Sequence, residues 1–97
     1  MLHHIVLFAF REDVSNDDRA LILGAIRGLK AAVPALRSLE VGENVSLARA
    51  QGYTHVLIET FDDRPGLAEY TAHPAHAPVV ARLRDAVAQL LAVDLEV

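Results

Sequence analysis

The N-terminal run HHIVLFAF, residues 3–10, is apolar on both of its alternating faces. In a β-strand the run divides into two sets of side chains, with His4, Val6, Phe8 and Phe10 on one face and Ile5, Leu7 and Ala9 on the other. A strand that is apolar on both faces is covered on both faces. The sequence therefore predicts a sheet that is packed against other layers on each side.

Hydrophobic periodicity predicts the remaining elements. The first helix is capped by Ser15 and ends before Pro34. The expected later elements are a strand at 36–41, a strand at 53–61, a short helix from Asp63 to about Tyr70, a helix with Val80, Leu83, Val87 and Leu90 on one stripe, and a final strand at 93–97. Gly24 and Gly28 lie inside the first helix and each costs roughly 1 kcal/mol relative to alanine. They either admit a close neighbour or ligand, or are tolerated weaknesses.

The predicted order β-α-β-β-α-β is that of a ferredoxin-like α+β fold with a four-stranded antiparallel sheet. We expect residues 1–97 to form a single domain. Because the helices of this fold lie on one face of the sheet, the other face is bare. Since the first strand is apolar on that face as well, we predict a homodimer formed by sheet-to-sheet packing.

Composition and charge exclude several classes of function. The net charge is −4 and the nine basic residues are scattered, which argues against nucleic-acid binding. The chain has no cysteine, so thiolate nucleophiles and cysteine-ligated metals are excluded. The apolar N-terminal run lacks a basic flank and is too short to span a bilayer. We therefore expect a cytoplasmic protein that binds neither membrane nor nucleic acid.

The segment EYTAHPAHAP, residues 69–78, contains a tyrosine and two of the five histidines. Pro74 disfavours helical backbone at His73, so the chain bends there and Tyr70 and His76 can converge. His76 falls at the start of the last helix, where the helix dipole favours a neutral, proton-accepting ring. Tyrosine can donate a hydrogen bond to a carbonyl oxygen. The pair can equally be a site for acid–base chemistry or a packed corner between helices.

The remaining histidines allow structural interpretations. His4 and His55 lie in phase with apolar neighbours, on the order of 20 Å apart if their strands pair over their full length. They are either core histidines or residues that line a pocket. His73 is expected to cap the turn that follows it. Pro74 interrupts the spacing from His73 to His76, and the zinc-protease helix pattern is lacking, so we predict no metal site and no cofactor.

Four segments together resemble the stress-responsive dimeric α/β-barrel (Dabb) family. They are HHIVLFAF at 3–10, GENVS at 42–46, GYTHVLIETF at 52–61 and EYTAHPAH at 69–76. The resemblance covers nearly the whole chain. It implies a ferredoxin-like subunit and a dimer in which the two sheets together form an α/β barrel.

The family includes a plant polyketide cyclase that closes a linear polyketide by an aldol reaction. By this resemblance Tyr70 and His76 are the catalytic pair, and the pocket is lined by His4, Val6, Phe8, His55 and Leu57. Leu23, Gly24 and Ala25 stand where the cyclase has bulky aromatic residues, so a different pocket shape is expected. The resemblance implies acid–base chemistry on a carbonyl-bearing small molecule. The alternative is a non-catalytic, stress-associated oligomer, and whether the protein is an enzyme stays open.

Overall fold

The computed structural model describes residues 1–97 and has the predicted ferredoxin-like α+β fold. Its elements are β1 (Leu2–Phe10), α1 (Asn16–Ala32), β2 (Ser38–Glu43), a short 3₁₀ helix (Leu47–Arg49), β3 (His55–Phe61), α2 (Arg64–Ala72), α3 (His76–Ala86) and β4 (Val87–Glu96). The four strands form one antiparallel sheet in the order β2-β3-β1-β4. No helix combines the length and hydrophobicity of a membrane-spanning segment.

Helix α1 begins and ends where its local sequence signals predict. The Ser15 hydroxyl accepts a hydrogen bond from the Asp18 backbone N–H at 3.1 Å, which satisfies one of the free donors of the first turn. At the other end the Val33 N–H donates to the Leu29 carbonyl, and Pro34 prevents a further turn. A Cβ added at Gly24 or Gly28 would meet no atom within 4 Å. No other part of the subunit therefore packs closely against these two glycines.

The last helix is shorter than its periodicity predicts. The placement of Val87 and Leu90 on its stripe is wrong, because α3 ends at Ala86 and β4 begins at Val87. β4 pairs with β1 over its whole length, from Leu2 opposite Glu96 to Phe10 opposite Val87. Without β4, this edge of β1 would present unpaired backbone donors and acceptors. The long-range pairing outweighs the local helical pattern.

The sheet has one face covered by helices, and the other face is flanked only by the segment 44–53 beside Leu7 and Leu91. On the covered face, Val6, Phe8 and Leu57 are buried against Ile22 and Ile26 of α1. The other face, here called the open face, carries Ile5, Leu7, Val56, Ile58, Leu91, Val93 and Leu95. Ile58, Leu91, Val93 and Leu95 are each 40–55% exposed. The first strand is apolar on both faces, as the sequence indicates, but no helix of the subunit covers its second face.

Candidate functional site

A bend between α2 and α3 positions the residues of the EYTAHPAHAP segment. α2 ends at Ala72, and His73 is extended, with φ −66° and ψ 138°, as a residue before proline prefers. His73 Nδ1 accepts the Ala75 N–H at 3.1 Å, and the His73 carbonyl accepts the His76 N–H at 3.0 Å. His73 therefore has the capping role expected of it, and its ring stabilises the bend through this hydrogen bond.

The bend brings Tyr70 and His76 into contact. Their ring centroids are 4.5 Å apart and the ring planes meet at 63°. On one continuous helix, six residues would turn through about 600° and place the side chains on different faces. Tyr70 is only 2% exposed and also packs on Phe61, with ring centroids 5.2 Å apart. A phenol and an imidazole thus share one largely buried environment.

The surroundings of His76 favour its neutral form. Burial lowers the pKa of the His76 ring, the nearby Thr71 backbone acts in the opposite direction, and His4 and Arg84 lower the pKa further. His76 is also the first residue of α3, where the helix dipole disfavours imidazolium. A neutral imidazole has one protonated and one unprotonated nitrogen, and the unprotonated nitrogen can accept a proton.

Glu59 is a buried acid in this region that the sequence analysis did not single out. It is 1% exposed, lies opposite His4 in the β1–β3 register, and its Oε2 has no hydrogen-bond partner. Burial raises the pKa of Glu59, and interactions with Tyr70 and His4 oppose that shift. The pKa of Tyr70 is raised above its ordinary value by burial, and further by the nearby charge of Glu59.

His4 lies on β1 and interacts with Asp94 on β4, the last strand. His4 and Asp94 are register partners on β1 and β4, and His4 Nδ1 lies 2.5 Å from Asp94 Oδ1. We call His4, Glu59, Tyr70, His76 and Asp94 together the acid–base cluster. It has no group of three or more residues arranged to hold a metal ion, nor does any other part of the structure.

The other sequence-predicted pocket residues lie further along the covered face. The register places Val6 opposite Leu57 and Phe8 opposite His55, so His55 is four residues from the His4 position, about 13 Å rather than 20 Å. Val6, Phe8 and Leu57 are packed in the core and line none of the surface clefts. The pocket predicted around them is closed in this structure.

His55 is held as a core histidine. Its ring stacks on Phe8 at 5.2 Å and meets Phe10 edge to face at 5.1 Å. Its Nδ1 is 2.9 Å from the Thr54 hydroxyl, and burial lowers its pKa. Although one cleft of about 270 Å³ reaches His55, its ring is only 8% exposed and lies apart from the acid–base cluster.

A cleft of about 360 Å³ lies beside the acid–base cluster. It is lined by Leu2, Arg64, Leu67, Asp94 and Glu96. Asp94 belongs to both the cleft and the cluster, and it is half exposed. The cleft is therefore the nearest open space from which a small molecule can approach His4 and the buried groups behind it.

Two known proteins are similar to this chain over most of their own length. A stress-response A/B barrel domain-containing protein from Arabidopsis thaliana, HS1, is 28% identical over 92 residues, covering 94% of this chain and 84% of that protein. Olivetolic acid cyclase from Cannabis sativa is 24% identical over 74 residues, covering 75% of this chain and 73% of the cyclase.

The fold likewise has close counterparts among solved structures. A dimeric ferredoxin-like protein of unknown function from Thermobifida fusca superposes with a TM-score of 0.86 at 27% identity, covering 99% of this chain and 90% of that one. The stress responsive A/B barrel domain (Dabb) family matches residues 2–97 of this chain. The chain therefore belongs to the Dabb family.

Proposed function

We propose that the protein is a homodimer in which the open faces of two sheets pack together. The proposal is supported by the row of half-exposed aliphatic side chains on β3 and β4. Monomeric proteins rarely expose a contiguous apolar surface of this kind. It is also supported by the Thermobifida fusca relative, which is described as dimeric. In such a dimer the acid–base cluster of each subunit lies on the helix-covered face, outside the interface.

We further propose that the acid–base cluster acts on a carbonyl-bearing small molecule, with His76 as general base and Tyr70 as hydrogen-bond donor. The observation that carries this function is the 4.5 Å contact between the two rings across the proline bend. The lowered pKa of His76 supplies a neutral base, and the raised pKa of Tyr70 keeps the phenol protonated. The relationship to a cyclase adds support.

In the proposed step, the free nitrogen of His76 removes a proton from the carbon next to the ligand's carbonyl group. The electrons of the C–H bond move to the carbonyl oxygen, forming an enolate to which the Tyr70 hydroxyl donates a hydrogen bond. The enolate carbon can then attack a second carbonyl, which is the bond-forming step of an aldol reaction. General acid–base assistance of this kind contributes about 10²–10⁴-fold to a rate.

The ligand is expected to enter through the cleft that Asp94 shares with the acid–base cluster. His4 then lies at the mouth of the site, and Val6 and Leu57 are the next pair along the covered face. Phe8 and His55 follow after them. A ligand long enough to reach these four residues requires movement of α1 or α3, because the core is closed around them.

The experiment that tests this function is proton exchange on heptan-2-one in D₂O, followed by ¹H NMR. The protein should accelerate loss of the α-proton signals, His76→Gln should abolish the acceleration, and Tyr70→Phe should reduce it by about 10²-fold. His3→Gln is the matched control, because His3 lies on the opposite face of the sheet. Exchange that is absent, or unchanged in His76→Gln, would show that the pair is not an acid–base site for simple ketones.

A second candidate is a non-catalytic binding or structural dimer, favoured by the burial of Tyr70. At 2% exposure Tyr70 belongs to the same buried cluster as Phe61 and Leu29, and neither Tyr70 nor His76 lines a cleft. If this function is correct, Tyr70→Phe and His76→Ala each lower the melting temperature by several degrees. In that case no ketone tested would alter the NMR signals of the His76 ring.

A further inference from the structure

A cleft of about 270 Å³ lies at the end of the sheet away from the acid–base cluster. The β2–β3 register places Glu43 opposite His55, so both side chains lie on the helix-covered face. Arg19, in the first turn of α1, borders the same cleft. The remaining lining residues are Asn44, Leu47 and Thr54. The cleft therefore lies between α1 and the start of the β2–β3 connection, and the proposed acid–base step makes no use of it.

Arg19 is a positive charge that the subunit holds in place but leaves without a carboxylate partner. Its Nε donates to the Val14 carbonyl at 2.9 Å, and its Nη2 donates to the Arg11 carbonyl at 3.0 Å. The guanidinium group also lies over the Phe10 ring, 5.3 Å from the ring centroid. None of the ion pairs in the structure includes Arg19. Its remaining N–H donors are therefore available to an anionic group such as a carboxylate.

His55 has an unpaired ring nitrogen at the same cleft. The residue is 8% exposed, and its Nδ1 lies 2.9 Å from the Thr54 hydroxyl. Its Nε2 has no hydrogen-bond partner, yet Glu59 Oε2 is the sole fully buried side-chain nitrogen or oxygen that lacks one. The Nε2 atom of His55 therefore reaches open space, and this cleft is the one that His55 borders. A polar group of a ligand would complete the hydrogen bonding of this nearly buried ring.

Glu43 adds a negative charge to the cleft. It is exposed, and it forms no ion pair with Arg19 although both residues border one small cleft. Glu43 would repel a ligand that is only anionic, and Arg19 would repel one that is only cationic. The two separated charges instead favour a ligand that carries both a carboxylate and an ammonium group.

We propose that the cleft binds a small aliphatic α-amino acid as its zwitterion. The carboxylate accepts charge-assisted hydrogen bonds from Arg19, and the ammonium group donates to Glu43. With the ring proton of His55 on Nδ1 and shared with the Thr54 hydroxyl, Nε2 accepts a further hydrogen bond from the ammonium group. Leu47, which is 58% exposed, offers an apolar contact for the aliphatic side chain. This inference does not depend on the proposed acid–base function, because the cleft and the acid–base cluster share no residue.

The first test titrates the ¹⁵N-labelled unmodified protein with L-valine at pH 7 and follows its NMR signals. L-Valine should shift the signals of Arg19 Nε and His55 Nε2, together with the backbone amides of Glu43 and Thr54. Isovalerate, which lacks the ammonium group, and isobutylamine, which lacks the carboxylate, should each bind about tenfold more weakly. The inference is overturned if L-valine leaves these signals unchanged or binds no more tightly than isovalerate.

The second test replaces Glu43, because this exposed residue does not support the position of Arg19. Glu43→Gln should weaken the binding of L-valine about tenfold, to the level of isovalerate. Glu69→Gln is the matched control, because Glu69 is an exposed glutamate on α2 that borders no cleft. It should bind L-valine as the unmodified protein does. Equal affinity of the two variants for L-valine would show that Glu43 does not hold an ammonium group and would overturn the inference.

Discussion

Replacing Leu91 by lysine should break the proposed dimer. Leu91 lies on the open face opposite Leu7 and is 45% exposed in the isolated subunit. Complete burial of a leucine side chain stabilises by about 1.5–3 kcal/mol, so covering the remaining half contributes about 1 kcal/mol. Two-fold symmetry repeats the contact, which gives about 2 kcal/mol per dimer and a Kd about 30-fold higher for Leu91→Lys. Enclosing the ammonium group would add to this loss.

The assay is sedimentation equilibrium over a range of protein concentrations. Leu21→Lys is the matched control, because Leu21 is 60% exposed but lies on α1, away from the sheet. The unmodified protein and the control should dimerise alike, whereas Leu91→Lys should shift toward monomer. If Leu91→Lys dimerises as tightly as the control, the open face is not the interface. A monomeric unmodified protein would refute the proposed dimer itself.

Three further predictions concern stability. Gly28→Ala should raise the free energy of unfolding by about 1 kcal/mol, because the new Cβ meets no atom within 4 Å; calorimetry should show a melting temperature higher by about 4–8 °C. His73→Ala should cost about 1 kcal/mol, since the Ala75 N–H loses its acceptor, and an unchanged urea midpoint would contradict the capping role. The unmodified protein should lose stability relative to Glu59→Gln as pH rises above about 4.3, because the folded state holds the Glu59 proton to higher pH. If the urea midpoints of the two proteins change equally between pH 4 and pH 7, this prediction is wrong.

The sequence predicted the elements whose signals are local. The Ser15 cap and Pro34 set the ends of α1, and alternation identified the central strands. Whether residues 87–92 form helix or strand depends instead on the free edge of β1, which is remote in sequence. For that reason the helical spacing of Val87 and Leu90 was misleading.

The candidate site was only partly predictable for the same reason. The proline bend that joins Tyr70 to His76 is a local effect, and the sequence indicated it. The signal for Glu59 was its position in phase with Leu57 and Phe61, but its burial depends on tertiary packing over the covered face of the sheet. Asp94 is 90 residues from His4, and only the register of the first and last strands brings them together.

The central claim is that His76 is a neutral base at physiological pH, and ¹⁵N NMR of the histidine rings during a pH titration tests it most directly. The method needs no substrate and separates the two ring nitrogens. The account predicts a His76 pKa below the ordinary value of about 6.5, with one protonated and one unprotonated nitrogen at pH 7. A pKa at or above that value, with both nitrogens protonated as pH approaches neutrality, would contradict it.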